Sequence, residues 1–482
     1  MVFGCGGERD FKKRPLMAKI AKSFCKKIYV TDDNPRKEDP RKIRKEIIKH
    51  LKGSNYFNIG NRSKAIKEAI LNADPDETVL VAGKGHENYQ DYGNKVISIS
   101  DRKIIKKLKI NKNIINQKKQ NYLFNSKILN KIILRQTEIY YQVVHKPLET
   151  SNFEPSTSQI PYAGRVFDEK EMLRLVSSSL DFWLTSGPFS EQFERAFAKK
   201  VGVSYCSLVN SGSSANLIAF MTLTSPTLEE RCLRRGDEVI TVAAGFPTTV
   251  SPIIQYGAVP IFVDVELGTY NIDCSQLEEA LTEKTKAVML AHTLGNPFNL
   301  DTISNFCKQH DLWLIEDNCD ALGSIYKGRL TGSFGDIATS SFYPSHHITM
   351  GEGGAIFIND KSLKLKAEIV REKGTNRASY FRGEIDKYGW KSLGSSYLLS
   401  DILAAKLLSQ LEELEQITTK RKLIWQRYHD SLSLLQEQGI FSLPDLPNYA
   451  DHNGHIFYLV CNSGNERNKL LSYLMKNQIE KI

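Results

Sequence analysis

Two adjacent histidines, His346 and His347, lie in the stretch SSFYPSHHITMGEGG, which occupies residues 340–354. An ordinary imidazole changes its charge close to neutral pH, so either side chain is a candidate general base. Ser341, five residues before His346, offers a hydroxyl that could bind phosphate. His347 is the weaker candidate, and its alternative role is to pack or to hydrogen-bond within its own loop.

A second candidate for phosphate binding is the run LVNSGSSANLIAF, which predicts a strand, a Gly/Ser turn and a helix that opens near Ser214. Exposed backbone N–H groups at a helix N-terminus favour anions, and small hydroxyl side chains add further donors. Gly212, Ser213 and Ser214 are therefore candidate phosphate ligands. Taken alone, such a turn is as readily a simple helix cap.

Asp317 ends the apolar run LWLIED, at the carboxyl end of a predicted buried strand. A carboxylate there needs a cationic or hydrogen-bonding partner, and a protonated pyridine nitrogen is one such partner. A cap of the following turn is an equal alternative. Phe246, in AAGFPTT, follows another strand end and could lie on a flat ring, although a lone aromatic more often belongs to the core.

The elements that must position these residues follow a regular α/β pattern. From Tyr162 onward, apolar strands alternate with helices, which predicts a mainly parallel sheet covered by helices on both faces, with ligands at the carboxyl ends of its strands. We predict a small α/β domain over residues 1–110, whose apolar runs, among them VLVAG, indicate strands, and a basic linker over 111–160 with one helix near residues 126–144. A large domain is predicted over 161–400. A small C-terminal α+β domain is predicted over 401–482, where a helical pattern after residue 400 is followed by the strand HIFYLVCN.

Together, the phosphate turn, Phe246, Asp317 and the Ser-x-x-x-x-His loop make residues from about 151 to 400 resemble the DegT/StrS family of nucleotide-sugar aminotransferases, which are fold type I pyridoxal phosphate enzymes. In that family the pattern S-F-x-P-x-K carries the lysine that holds the cofactor covalently. His346 occupies this position here. The runs TVAAGFPTTV, LAHTLGNPF and LWLIEDNCDALGS further resemble the hexulose 3-dehydrases of dideoxysugar and lipopolysaccharide biosynthesis.

This resemblance implies a reaction and a cofactor. Pyridoxamine phosphate would bind without a covalent bond, with Asp317 on its ring nitrogen, Phe246 on its ring, and Gly212, Ser213, Ser214 and Ser341 around its phosphate. His346 would remove a proton from the cofactor's methylene carbon while a nucleotide-linked 4-keto sugar loses its 3-hydroxyl. A homodimer, and an amino acid as a possible amine donor, are also implied.

Eight cysteines are scattered along the chain, without a C-x-C or C-x-x-C pair. This spacing argues against a zinc site, a compact iron–sulfur site and a disulfide framework. The iron–sulfur dehydrases that the chain resembles carry their cysteines after the GEGG turn, whereas this chain has none between Gly354 and Cys461. We therefore expect neither a metal nor an iron–sulfur cluster.

Two alternatives to a dehydratase stay open. Residues 371–405 resemble the dTDP-4-amino-4,6-dideoxygalactose transaminases, which favours a sugar aminotransferase, although the missing lysine opposes it. The chain ends at YLMKNQIEKI, where relatives usually continue, so we expect a shortened small domain. The second alternative is a composite chain that binds ligands without turnover.

The front of the chain, about residues 2–100, has a separate resemblance through VFGCGGERDFKKRPLM, VTDDNPRKEDP and VLVAGKGHENYQ. These runs resemble the C-terminal domain of the Mur ligase that adds meso-diaminopimelate. The resemblance implies that Asn34, Arg36, Gly83 and Glu87 contact diaminopimelate. The sequence has no G-x-x-x-x-G-K-[ST] phosphate loop, so this domain by itself is not expected to activate a carboxylate.

Charge is unevenly distributed over the 482 residues. Residues 1–150 hold 33 Lys and Arg against 16 Asp and Glu, whereas the remainder holds 32 against 39. The basic residues lie on helix-like faces without an aromatic–basic repeat, so a solvated face is favoured over nucleic-acid binding. The sequence has neither a membrane-spanning apolar run nor a signal-peptide pattern, and a cytoplasmic location is expected.

Overall fold

The computed structural model describes residues 1–74, 77–84, 87–108, 112–149, 153–155 and 157–480. The chain divides into two compact units, residues 1–129 and 130–482. Among the residues that the structure describes, no helix combines the length and apolar character that crossing a bilayer requires. The domain boundaries at 110, 160 and 400 stay predictions.

The front unit contains a three-stranded parallel sheet in the order β1-β2-β3 and an antiparallel pair, β4-β5. Its elements are β1 Val2–Phe3, α1 Lys13–Phe24, β2 Ile28–Val30, α2 Pro40–Lys49, β3 Tyr56–Asn58, α3 Arg62–Leu71, β4 Tyr89–Asp91, β5 Val96–Ser98 and α4 Asp101–Lys107. Phe3, Ile28 and Val30 pack with Ile43 and Ile47 of α2 to form the core. The predicted α/β pattern is confirmed for this unit.

One predicted strand of the front unit, VLVAG, is wrong in extent. Its only described strand-type pairing is a single parallel bridge between Val81 and Val2. Val2 donates its N–H to the Leu80 carbonyl, and its own carbonyl accepts from the Ala82 N–H. Both backbone groups of Val2 are therefore used in pairing with this run. Because β1 is only two residues long, the ladder cannot extend along the rest of the run.

The helix predicted near residues 126–144 is present and begins earlier. α5 runs from Lys112–Tyr140, a π-helical turn follows at Tyr141–His145, and α6 covers Lys146–Glu149. Tyr141 is 3% exposed, and its ring lies 6.1 Å from the ring of Phe167 in an edge-on arrangement. This aromatic contact packs the π-helical turn against Phe167, within residues 130–482.

The large unit is built on a seven-stranded sheet in the order β6-β14-β13-β10-β9-β7-β8. The seven strands are β6 Tyr205–Val209, β7 Glu238–Val242, β8 Val259–Val263, β9 Thr285–Ala291, β10 Trp313–Asp317, β13 Ile337–Ser341 and β14 Gly354–Ile358. Two further strands, β11 Ile325–Tyr326 and β12 Arg329–Leu330, belong to a separate small sheet. Only β14 runs antiparallel to its neighbours in the seven-stranded sheet. The predicted mainly parallel sheet is therefore confirmed.

Helices cover both faces of this sheet. They are α7 Glu169–Asp181, α8 Pro188–Val201, α9 Gly212–Thr222, α10 Pro247–Tyr256, α11 Leu277–Ala280, α12 Leu300–Gln309, α13 Lys361–Arg371, α14 Arg377–Phe381 and α15 Asp401–Glu437. The first half of α15 packs into the same core as α8, because Leu407 and Leu411 join Phe193 and Phe197 there. The helix predicted after residue 400 thus begins inside the core of the large unit.

The remaining elements form the small C-terminal part: β15 Phe441–Ser442, β16 Ala450–Asp451, β17 Val460–Cys461 and α16 Gly464–Lys476. The predicted strand HIFYLVCN is reduced to β17, which pairs with β15. β16 instead pairs with β11, so the segment after β16 is held against the large sheet domain.

Sheet register brings the candidate residues to one edge. Ser341, the last residue of β13, pairs with Gly354, which in turn pairs with Val209 at the end of β6. Asp317, the last residue of β10, pairs with Thr339 and Ala291. The carboxyl ends of β6, β10 and β13 therefore form one continuous rim.

Candidate active site

Asp317 is a buried carboxylate held by three donors. Its side chain lies at the end of β10 and is 4% exposed. Oδ2 accepts from Asn216 Nδ2 at 2.7 Å and from Thr249 Oγ1 at 2.8 Å, and Oδ1 accepts from the Cys319 N–H at 3.2 Å. Since Asn216 belongs to α9 and Thr249 to α10, two helices fix the direction of this carboxylate.

Glu316, one residue earlier, faces the opposite side of the sheet and has a structural role. Its carboxylate meets His292 Nε2 at 3.0 Å and accepts from the backbone N–H groups of Gly332, Phe334 and Gly335. Burial alone would raise the pKa of Glu316, but His292 and the backbone donors outweigh burial and lower it. Successive side chains of a strand point to opposite faces of the sheet, so these adjacent acids lie in different surroundings and have different roles.

The phosphate turn begins two residues earlier than predicted, because α9 starts at Gly212 with Ser211 as its N-cap. Ser211 Oγ accepts from the Ser214 N–H at 3.0 Å. The backbone N–H of Ser214 is therefore already used in the helix cap. A Cβ at Gly212 would lie 2.5 Å from the Ser341 Cβ, which shows how closely the turn meets the end of β13. Ser213 is exposed on the first turn of the helix.

Phe246 precedes α10 and is 71% exposed, so the alternative that it belongs to the core is wrong. It follows β7 by four residues and lies at the N-cap position, next to Pro247 at the first helical position. A large apolar ring left open beyond a strand end is a surface on which a flat ring could pack.

His346 belongs to a compact group that we call the His–Asp–His cluster: Asp320, His346 and His455. His346 Nδ1 lies 3.7 Å from Asp320 Oδ1, and His455 Nε2 lies 3.3 Å from the same oxygen. The two imidazole rings are stacked, with centroids 5.7 Å apart. Nδ1 of each histidine is buried without a hydrogen-bond partner among the described residues.

Burial controls the protonation of this cluster. It lowers the pKa of His346, although the Asp320 carboxylate opposes the shift, and it lowers the pKa of His455 to about 4. Burial also raises the pKa of Asp320 to about 6, opposed by His346. At neutral pH the cluster therefore holds an ionised carboxylate between two neutral imidazoles.

The predicted structural role fits His347. Its side chain is 4% exposed, Nε2 lies 3.0 Å from the Asn453 carbonyl, and Nδ1 lies 3.4 Å from Asn453 Nδ2. Burial lowers its pKa well below the ordinary value, so it stays neutral. His347 thus fastens the segment after β16 to the loop that carries His346.

Asp320, His346 and His455 also have their potential ligand atoms within 4.8 Å of one another, a spacing that a metal ion would require. The contacts inside the cluster are those of a carboxylate paired with two imidazoles. The expectation that the protein uses no metal stays a prediction. All eight cysteines are free thiols, and burial raises the pKa of Cys319, beside Asp317, well above the ordinary value.

In the front unit, the predicted motif residues Asn34, Gly83 and Glu87 come together. Asn34 Nδ2 donates to Glu87 Oε2 at 2.7 Å, and a Cβ at Gly83, whose φ is +115°, would lie 2.6 Å from Asp33 Oδ2. Lys84, which sequence reasoning missed, is buried and donates to Asn34 Oδ1 at 3.0 Å.

Arg36 is placed differently from those three residues. Its backbone lies in the left-handed region, with φ of +51°, and its guanidinium donates to the Gly7 carbonyl at 2.7 Å. Gly85 and His86 of the GKGHE motif lie outside the described residues.

A mainly parallel sheet with a strand-end aspartate, a Gly/Ser turn and an exposed aromatic ring defines a fold type I pyridoxal phosphate enzyme. Residues 167–481 match the model of the DegT/DnrJ/EryC1/StrS aminotransferase family, and the chain belongs to this family. Residues 1–85 match the model of the Mur ligase, glutamate ligase domain. The resemblances to the DegT/StrS family and to a Mur ligase C-terminal domain are thereby confirmed, whereas the meso-diaminopimelate specificity of the front domain stays a prediction.

Two curated relatives are especially informative. The lipopolysaccharide biosynthesis protein RfbH of Salmonella typhimurium is 42% identical over 363 residues, covering 71% of this chain and 83% of the relative. The dTDP-4-dehydro-2,6-dideoxy-D-glucose 3-dehydratase of Saccharopolyspora spinosa is 41% identical over 355 residues, covering 70% of this chain and 76% of the relative.

Among solved structures, the E. coli GDP-4-keto-6-deoxy-D-mannose-3-dehydratase with bound hydrated PLP is similar, with a TM-score of 0.61 and 28% identity. The match covers 67% of this chain and 84% of that one. These relatives agree with the predicted dehydratase class and with the predicted cofactor.

Proposed function

We propose that this chain is a pyridoxamine phosphate-dependent 3-dehydratase that acts on a nucleotide-linked 4-keto-6-deoxyhexose in deoxysugar and lipopolysaccharide-type biosynthesis. The observation that carries the proposal is His346 at the family's lysine position, with its Nδ1 facing a carboxylate. A histidine there cannot hold the cofactor covalently, but it can move a proton.

The residues at the rim fit this cofactor. Asp317 presents a buried carboxylate whose direction is fixed by Asn216 and Thr249, which suits a protonated pyridine nitrogen. The turn at Gly212 and Ser213 lies against Ser341, where N–H and O–H groups would bind a phosphate. When bound, pyridoxamine phosphate supplies a primary amine and an electron sink.

The chain's own residues then divide the work. Phe246 would offer its ring to one face of the cofactor, and Asp317 would keep the ring nitrogen protonated. His346, neutral because burial lowers its pKa, would take up the proton that the cofactor's methylene carbon loses and return it to the departing 3-hydroxyl. The hydroxyl would leave as water. The two electrons that the 3-deoxy sugar needs would come from the amine form of the cofactor, whose nitrogen would be released as ammonia, so an amine donor would have to regenerate that form.

The names of the relatives support the substrate class, a nucleotide-linked sugar, and leave the nucleotide open. The Saccharopolyspora relative is named for a dTDP sugar and the E. coli structure for a GDP sugar. An amino-acid amine donor, a homodimer and a cytoplasmic location stay predictions. An aminotransferase remains the second candidate through family members such as the GDP-perosamine synthase of E. coli O157:H7, 31% identical over 306 residues.

The test is an absorbance titration with pyridoxal and pyridoxamine phosphate, combined with borohydride trapping. Wild type is expected to bind pyridoxamine phosphate saturably without a trappable adduct, and His346→Lys is expected to gain one with pyridoxal phosphate. His346→Gln is the matched control, which should bind without trapping. Trapping in wild type would favour an aminotransferase, whereas no binding in any of the three proteins would favour a composite chain without turnover.

Turnover is measured next, with CDP-, GDP- and dTDP-linked 4-keto-6-deoxyhexoses supplied in turn. The expected product lacks the 3-hydroxyl, which NMR of the sugar ring detects directly. Transfer of an amino group to carbon 4 instead would overturn the dehydratase assignment.

For the front unit we propose that Asn34, Arg36, Gly83 and Glu87 form a site for a diamino dicarboxylic acid, of which meso-diaminopimelate is the first to test. The Glu87 side chain is 36% exposed and offers a carboxylate to a ligand ammonium group, and Asn34 orients that carboxylate by donating to it at 2.7 Å. Calorimetric titration of the full chain should give saturable binding that Asn34→Ala abolishes. Equal heats in both proteins would refute the site.

A further inference from the structure

The His–Asp–His cluster joins three segments that are far apart in sequence. Asp320 follows β10 by three residues, His346 lies between β13 and β14, and His455 lies between β16 and β17. Both imidazoles converge on one oxygen, Asp320 Oδ1, at 3.7 and 3.3 Å. A base therefore lies beside a carboxylate that a second histidine also contacts.

We propose that Asp320 and His455 are positioning residues for the base: Asp320 orients His346 through Nδ1, and His455 holds Asp320 in place by donating its Nε2–H to the same oxygen. This inference rests on the proposed function of His346. Because Nδ1 of His346 faces the carboxylate, that nitrogen carries the proton and Nε2 is left to accept one.

The second histidine is held by contacts that do not involve the cofactor rim. Arg421 on α15 donates to the carbonyls of His455, at 2.6 Å, and of Gly454, at 3.3 Å. Asn453 Nδ2 donates to the carbonyls of Asp320, at 2.8 Å, and of Leu322, at 2.9 Å. The small C-terminal part thus brings one side chain to the base and fixes the backbone on which that side chain lies.

Burial, more than the surrounding charges, gives His346 a resting state in which the base is neutral. Asp320 and Asp317 favour its protonated form, whereas His455 and Arg421 oppose it, and burial opposes it most. A charged His347 would also oppose protonation of His346, but burial keeps His347 neutral. When His346 takes a proton, the 3.7 Å gap to Asp320 is one that a small rotation of the ring closes into a charge-assisted hydrogen bond.

The first readout uses the protein without cofactor, so it does not depend on turnover. Histidine labelled with ¹⁵N reports which ring nitrogen carries the proton, and His346→Gln assigns the His346 signals. In wild type His346 should be protonated at Nδ1, and Asp320→Asn should move the proton toward Nε2. His429→Gln is the matched control, because His429 Nδ1 lies 3.9 Å from Asp430 on α15, outside the His–Asp–His cluster, and the substitution should leave the His346 signals unchanged.

The second readout is turnover at saturating pyridoxamine phosphate. A wrong tautomer or a badly oriented base lowers kcat by about 10²- to 10⁴-fold, so Asp320→Asn should lose activity in that range with KM nearly unchanged. His455→Gln should lose about 10-fold to 100-fold. Asp320→Glu, which keeps the carboxylate, should recover part of kcat even if Asp320→Asn folds poorly.

Unchanged His346 signals together with wild-type kcat in Asp320→Asn and His455→Gln would overturn the proposal. That result differs from failure of the proposed function, in which wild type itself neither binds pyridoxamine phosphate nor eliminates water. In the latter case the ¹⁵N measurement still decides whether Asp320 sets the tautomer of His346.

Discussion

Two polar clusters lie at the carboxyl ends of parallel strands in this chain, and they differ in how completely their charges are compensated. In the front unit, the buried amine of Lys84 lies 3.0 Å from Asn34, 3.5 Å from Glu87 and 3.8 Å from Asp33. In the large unit, His346 and His455 each keep a buried Nδ1 without a partner among the described residues.

This difference separates a cluster whose buried cation is already paired from one whose neutral imidazoles can exchange protons. A buried cation surrounded by an amide and two carboxylates is expensive to disturb, because removing it leaves uncompensated charge. Neutral imidazoles beside a carboxylate can instead gain and lose a proton without any change in packing. The substitutions below test this contrast, from the largest expected effect to the smallest.

The largest effect is expected from His346→Gln, which removes the base and keeps a side chain of similar size. Water elimination should fall by about 10²- to 10⁴-fold, the usual contribution of general acid–base catalysis. Affinity for pyridoxamine phosphate should change little, since Asp317 and the Gly212 turn are untouched. Rates are measured by NMR of the sugar product.

The neighbouring histidine provides the comparison for that result. His347→Gln loses contacts to Asn453 at 3.0 and 3.4 Å and should act mainly on the melting temperature. If His347→Gln lost as much kcat as His346→Gln while keeping its melting temperature, the assignment of the base would be wrong.

In the front unit, Lys84→Met should destabilise the fold by about 3 kcal/mol, because it leaves Asp33 and Glu87 without their buried cation. All four tryptophans, Trp183, Trp313, Trp390 and Trp425, lie in residues 130–482, so their fluorescence reports the large unit alone. Far-UV circular dichroism should show an earlier transition that the fluorescence does not.

The control for this variant is Lys64→Met. Lys64 is 69% exposed in its side chain and lies 3.8 Å from Glu68, so the pair should contribute less than about 0.5 kcal/mol. Equal circular dichroism melts for Lys84→Met and Lys64→Met would contradict the contrast between the two clusters.

A third variant tests the close approach at the phosphate turn. Gly212→Ala places a Cβ 2.5 Å from the Ser341 Cβ, so α9 and the end of β13 must separate at a cost of about 2 kcal/mol. The tryptophan transition should move to lower denaturant, and the affinity for pyridoxamine phosphate should fall. Gly164→Ala meets nothing within 4 Å and should change neither quantity.

Sequence reasoning found the parts of the site that follow directly from strand ends. Asp317, Gly212 and Ser341 each end or follow an apolar run, and parallel pairing brings such positions to one rim. The α/β order and the long helix around residue 130 were accessible for the same reason, since both depend on local periodicity.

The residues that were missed depend on contacts between distant segments. His455 reaches Asp320 only because β16, two residues long, pairs with β11 more than a hundred residues earlier. Lys84 looks like any basic residue in a glycine-rich motif until Asn34 and Asp33 surround it. Neither short strands nor buried charges leave a periodic signal, so no local pattern could have identified them.

The smallest effect is expected from His452→Gln, measured as a dependence of stability on pH. His452 lies against Trp425, with ring centroids 4.2 Å apart, and burial lowers its pKa to about 4. Between pH 6.5 and 4 the unfolded chain therefore binds a proton that the folded chain does not, and His452 lowers stability progressively as the pH falls.

Wild type should lose about 1 kcal/mol more than His452→Gln between pH 6.5 and pH 5.5, as judged by the midpoint of denaturant unfolding followed by tryptophan fluorescence. His455, with a pKa of about 4, adds a slope of the same sign, whereas Asp320, with a pKa raised to about 6, adds one of opposite sign. Both are common to the two proteins and cancel in their difference. Parallel pH profiles would mean that His452 is protonated in the folded state, and the segment that carries His455 would then be less tightly closed than its contacts indicate.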